Sequence, residues 1–242
     1  MKATSHLLGA AFAVAALAWS SAAAAATLSV PGTANPFLSG MPSGSTCCSG
    51  DSAPAESPVY AGAVTGSETL TFTDVTGGVS YAGGTPTDGP NGNSSDRIST
   101  SGYEPSDTIN NIAGYTNAPV DALVGVFLSA GLPTSNPAGS VLDFSSPTTT
   151  PGLQQVFFIG DGTFGSLNAQ SFTVPTGATR LFLGTVDGFG WYNNSGAIEL
   201  TVNGVSSVPE PAAWALLLTG VAGLGSALRL ARRRGELSPA RV

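Results

Sequence analysis

Between residues 27 and 208 the chain nowhere sustains an apolar helical period of eleven or more residues. An amphipathic helix needs such a stripe to cover a core, so helices are not expected there. Short runs rich in β-branched and aromatic residues recur instead, at 68–75, 78–82, 122–128, 141–144, 155–159, 171–174, 180–186 and 197–202. Each is bounded by Gly, Pro, Asn or Asp, and some alternate, as in Leu70 with Phe72 and Leu181 with Leu183. Half-buried strands carry this period of two. The expected fold is all-β: a single β-sandwich or jelly-roll ectodomain over residues 58–205. Pro, Ser, Gly and Ala crowd residues 27–57, which read as a flexible leading segment. Residues 85–115 hold few apolar side chains and read as a long surface loop.

Charge narrows the function. Residues 27–208 hold thirteen acids against Arg97 and Arg180 alone, a net −11. Such a body repels phosphate backbones, and nucleic-acid binding is not expected. The single His, His6, and the single Lys, Lys2, both stand in the first ten residues. Without them a Ser or Cys nucleophile has no His or Lys base, and zinc has no imidazole ligand. No enzyme is expected.

The two ends differ from the body. Lys2, a thirteen-residue apolar run at 7–19 and small residues at 20–26 form a secretory signal peptide over residues 1–26. Ala24 and Ala26 suit the signal peptidase pocket, so the expected cut follows Ala26. A second apolar run begins at Ala212, and Arg229 can snorkel, so residues 212–231 are expected to form a transmembrane helix. The tail at 232–242 opens with Arg232, Arg233 and Arg234, and basic flanks stay cytoplasmic. The body is therefore expected to be exported, in the cell envelope or outside it, with the C-terminus inside. Residues 206–211 form a linker containing Val208-Pro209-Glu210-Pro211.

Pro-Glu-Pro, an apolar helix with Trp and Gly, an Arg cluster and the chain end follow one another within 35 residues. This resembles the PEP-CTERM sorting signal of envelope bacteria. The resemblance implies recognition by an exosortase, a membrane-embedded cysteine protease, with cleavage near Pro209-Glu210-Pro211. It also implies an association with exopolysaccharide and biofilm. The extra tail at 235–242 departs from the usual short basic end.

Three smaller features have ordinary explanations. Cys47 and Cys48 are adjacent and exported, so they either cross-link chains or close an eight-membered ring with each other. Gly160-Asp161-Gly162-Thr163-Phe164-Gly165 fits G-x-G-x-x-G, but a second strand is expected after it rather than the helix that dinucleotide binding needs. Asp143, Asp161 and Asp187 lie near strand ends, with no motif to make them a hydrolytic pair.

The most informative segment is Asp187-Gly188-Phe189-Gly190-Trp191-Tyr192-Asn193-Asn194-Ser195-Gly196. A carboxylate and two amides on a Gly-rich loop, with backbone carbonyls, are hard oxygen donors suited to Ca²⁺. Trp191 and Tyr192 offer aromatic faces for a sugar ring. An ordinary turn uses the same Asn, Asp and Gly.

This loop resembles the binding loop of the bacterial galactophilic lectins, small jelly-roll proteins that hold galactose through calcium. The resemblance implies a metal set of Asp187, Asn193, Asn194 and the carbonyls of Tyr81 and Trp191 (or Gly190). It places carbohydrate against Asp187, Trp191, Tyr192 and Asn193. Ser80-Tyr81 followed by Gly89-Pro90-Asn91-Gly92 matches the family's second segment. The family's sugar-holding His and Gln have no counterpart here. The expected protein is thus a non-catalytic module binding extracellular polysaccharide through Ca²⁺; the alternative is a structural surface or matrix component whose loop only turns the chain.

Overall fold

A computed structural model describes residues 24–48, 50–100, 108–163 and 168–205. The expected signal peptide through Ala23, the linker, the sorting motif, the span at 212–231 and the basic tail lie outside them. Among the described residues no helix is long and apolar enough to cross a membrane.

The described chain is all-β and built around two antiparallel sheets of four strands. The first contains β1 (Ala24–Pro31), β5 (Thr69–Ser80), β14 (Ser171–Thr173) and β16 (Ser195–Val205), ordered β1-β16-β5-β14. The second contains β4 (Val59–Ala63), β11 (Leu123–Leu128), β13 (Val156–Phe158) and β15 (Arg180–Thr185), ordered β13-β11-β15-β4. Leu70, Phe72, Phe172, Ile198 and Val202 of the first sheet share one core with Leu123, Phe127, Phe157, Leu181 and Leu183 of the second. Phe157 meets Phe172 across the sheets at 5.6 Å between ring centroids. Two sheets that bury their facing side chains in one another form a sandwich.

The second sheet is buried on both faces. Along β11, Leu123 and Phe127 join the core between the sheets, while Val124, Val126 and Leu128 face a second core with Phe37, Tyr115, Phe144 and Trp191. Every residue of β11 is buried, so the run is apolar throughout instead of alternating. The outer cover is irregular chain. It includes the short 3₁₀ turn Pro36–Leu38, the two-stranded ribbon of β6 (Asn93–Ile98) with β10 (Ala118–Val120), and the two-residue strands β2 (Thr46–Cys47), β3 (Asp51–Ser52), β7 (Thr108–Ile109), β8 (Ile112–Ala113), β9 (Tyr115–Thr116) and β12 (Leu142–Asp143).

Two expectations fail here. Residues 27–57 do not form a flexible lead. β1 pairs with β16 from Ala24↔Val205 to Pro31↔Ala197, and Val30, Ala34, Phe37 and Leu38 are buried. Apolar residues separated by Pro and Gly carry no period, yet they pack. The first three residues of β1 also precede the expected cut after Ala26. Residues 85–115 are not one surface loop either: β6 lies within them, and Ile112, Ala113 and Tyr115 are fully buried. The adjacent cysteines are joined to each other as a Cys47–Cys48 disulfide.

Candidate functional site

The loop joining β15 to β16 starts at Asp187. Asp187 Oδ1 accepts from the N–H of Gly188 at 2.5 Å and of Phe189 at 3.2 Å, folding the chain back on its own side chain. Gly190 takes a left-handed φ of 94°, which a side chain would resist, and the turn Trp191–Asn193 follows. Beneath the loop, Tyr115 Oη donates to the Asp187 carbonyl at 2.6 Å. Trp191 Nε1 donates to the Thr185 carbonyl at 2.9 Å, and Asn194 Nδ2 to the Gly32 carbonyl at 3.1 Å.

The supports come from distant sequence. Asp51 accepts from the N–H of Trp191 and of Tyr192, each at 3.0 Å, and from Asn35 Nδ2 at 3.0 Å. Burial still pushes the Asp51 carboxyl above its ordinary range, against those three donors. Asn35 Nδ2 also faces Cys47 Sγ at 3.5 Å. Asp51, Asn35 and Tyr115 carried no motif in the sequence; isolated acids and amides acquire such roles only when the chain folds.

A cleft of about 300 Å³ opens beside the loop. Tyr81, Asp187, Phe189 and Asn193 line it with Asp96 and Val120. The fold therefore brings Tyr81, from the far end of β5, to the loop at Asp187. Asn194 is buried at the loop's base. Ser195 Oγ donates to the Gly84 carbonyl at 2.9 Å and fastens the Tyr81 segment to the loop.

Trp191 departs from its expected role. Its side chain is 1% exposed and packs edge-on to Phe37, so the indole offers no face to a sugar. Its carbonyl already accepts the Asn194 N–H at 3.0 Å, which leaves one lone pair for another partner. Tyr192 is 57% exposed but does not line the cleft; Phe189, 52% exposed, does. Aromatic residues are the least polar members of a polar loop, and the sequence could not say which of the three turns inward.

Among the described residues, three buried oxygens near this loop have no hydrogen-bond donor: Asp187 Oδ2, Asn194 Oδ1 and Asp121 Oδ1. A buried oxygen without a partner is costly and calls for a ligand or a proton. Burial raises the Asp187 carboxyl, while the adjacent Asn194 amide and the two backbone N–H groups oppose the shift. Asp121 is fully buried at a φ of 69°, and its Oδ2 accepts the Tyr81 N–H at 3.2 Å. Burial first, then the neighbouring Asp88 carboxyl, push Asp121 up to about 7. In the sequence Asp121 reads only as the polar edge of the apolar run that becomes β11. Among the described residues no three His, Cys, Asp or Glu side chains group as a metal site. Oxygen donors for calcium would thus have to include amides and carbonyls.

The G-x-G-x-x-G segment begins as a turn, with Gly160 and Gly162 at φ of 58° and 78°. Asp161 Oδ1 caps it by accepting the Thr163 N–H at 2.9 Å. No family model, curated protein or solved structure matches this chain.

Proposed function

We propose that this protein is an exported envelope component, sorted by a PEP-CTERM signal through an exosortase, whose jelly-roll ectodomain binds extracellular polysaccharide with calcium. The observation that carries the calcium reading is the pair of unpartnered, buried oxygens Asp187 Oδ2 and Asn194 Oδ1 behind a cleft that Asn193 and Tyr81 also line. Buried oxygens without a donor suit a hard cation. Asp187, Asn193 and Asn194, with the carbonyls of Tyr81 and Trp191, would hold it. A bound Ca²⁺ supplies a positive charge to which vicinal sugar hydroxyls can coordinate. The chain's own residues then orient the sugar: Phe189 and Tyr81 offer exposed ring surface, and Asp96 offers a hydrogen-bond acceptor.

The export reading rests on the sequence of the two ends. Binding without catalysis rests on the missing His and Lys in the body.

Calorimetry of the full chain in detergent, with CaCl₂ and then EDTA, tests the site. A saturating heat and a raised melting temperature, both absent in Asp187→Ala, are expected. If Ca²⁺ produces neither, the loop is a turn and the protein a structural component of the surface.

A further inference from the structure

The β6–β10 ribbon has two sides. Asp96, Ile98 and Val120 line the cleft beside Asp187, whereas Arg97 and its cross-strand partner Pro119 line a different cleft of about 440 Å³. This second cleft includes Ser94, Phe144, Ser145, Pro147 and Phe158. Phe144 and Phe158 stand edge to face at 5.7 Å and form an apolar wall with Pro119 and Pro147.

Arg97 is unusual in its surroundings. It is one of two cations among the described residues. The other, Arg180, is occupied: its guanidinium donates to the Ser129 carbonyl at 2.6 and 3.0 Å and lies 5.6 Å from the Phe182 ring centroid. Arg97 is exposed and, among the described residues, anchored by one bond, from Nη1 to the Asn117 carbonyl at 2.6 Å. Among the described residues most of its planar fork of N–H donors remains open, and that fork matches a carboxylate in bidentate geometry. The nearby acid, Asp143, accepts at Oδ1 from Asn117 Nδ2 and from the Ser145 N–H, and the Arg97 charge adds to these bonds in lowering its carboxyl.

We propose that the Arg97 cleft is a second saccharide subsite that takes a carboxylated sugar, a uronate residue carried singly in a mostly neutral polysaccharide, because the net −11 of residues 27–208 repels a densely charged one. The carboxylate pairs with the Arg97 fork, the C–H face of the ring lies on the Phe158–Pro119–Pro147 wall, and Ser94 can meet a hydroxyl. The volume admits one or two sugar units. The assignment extends the polysaccharide reading but does not need calcium.

The test uses the full chain in detergent with EDTA present, so that the loop at Asp187 cannot contribute through a metal. A trisaccharide carrying one galacturonate residue and the neutral galactotriose are titrated in parallel. Binding of the uronate at least tenfold tighter than the neutral trimer is expected, with loss of about tenfold in Arg97→Gln and partial retention in Arg97→Lys. Both variants should melt like the parent, since the side chain is exposed. Uronate binding should be unchanged when CaCl₂ replaces EDTA, which separates this site from the calcium site. Equal affinity for the two trimers, unchanged binding in Arg97→Gln, or no uronate binding would each overturn the proposal.

Discussion

Asp51 and Trp191, 140 residues apart, are joined by a hydrogen bond of 3.0 Å from the Trp191 N–H to the buried Asp51 carboxylate. The other oxygen of the same carboxylate accepts the Tyr192 N–H. The chain around Asp51 therefore shapes the loop between β15 and β16. A carboxylate that accepts from successive backbone N–H groups fixes the chain direction there, much as a helix cap does.

Asp51→Ala should accordingly destabilise the fold by about 2–4 kcal/mol, because several buried donors lose their acceptor together. Urea unfolding followed by Trp fluorescence measures this, and Trp191 lies at the affected place. Asp51→Asn should cost less, since its one carbonyl oxygen can still accept. Equal losses in the two variants would show that the carboxylate does not organise the loop.

Stability without calcium should fall as pH rises from 5 to 8. Asp121 is pushed up to about 7 in the folded protein, and Asp51 and Asp187 are also raised. The folded state therefore holds protons that the unfolded chain, with ordinary carboxyls near 4, has already released. A raised carboxyl favours the fold below the unfolded value and opposes it as pH climbs through the folded one. Asp143 and Asp161 are lowered, so their contribution changes only at more acidic pH. Melting temperatures in EDTA at pH 5, 6, 7 and 8 check the sign. A rise across that range would contradict the raised carboxyls. Added CaCl₂ should raise the melting temperature most at pH 8, where the site carboxylates are ionised.

Residues that could be read in advance were those whose local chemistry is the same in any fold. The run at 122–128 is apolar enough to be a buried strand wherever it sits, and β11 occupies Leu123–Leu128. The Asp187 loop was visible because Gly, Asn and Asp together announce a turn with oxygen donors. The sequence of β6, Asn-Ser-Ser-Asp-Arg-Ile, shows no apolar alternation, because the ribbon lies over the sandwich with clefts on either side. Phe37 and Leu38 stood in a Pro-rich stretch with no period, yet they plug the outer core. Asp51 and Asp121 are single acids whose importance comes from partners 140 and 40 positions away.

The sorting reading makes a cellular prediction. Changing Pro209, Glu210 and Pro211 to alanine should leave the chain in the membrane at its unprocessed C-terminal length, measured by immunoblot of a tagged tail after fractionation. Unaltered processing would remove the exosortase from the account while leaving the ectodomain untouched.

Gly125 tests the packing between the sheets. A Cβ placed there would stand 2.5 Å from Cζ of Phe157 and 3.1 Å from Cδ1 of Ile159. Phe157 cannot retreat freely, since its ring stacks on Phe127 at 5.0 Å and meets Phe172 from the opposite sheet. Gly125→Ala should therefore cost about 1–3 kcal/mol through overpacking. For a domain of this size the melting temperature falls by roughly 2–4 °C per kcal/mol. Phe157→Leu alone should also destabilise, by opening space beside the stack. In the double variant the smaller side chain makes room for the new methyl, so the two losses should not add. Their shortfall in a double-mutant cycle should be about 1 kcal/mol. Strict additivity would mean that Gly125 and Phe157, cross-strand neighbours in the second sheet, do not press on one another.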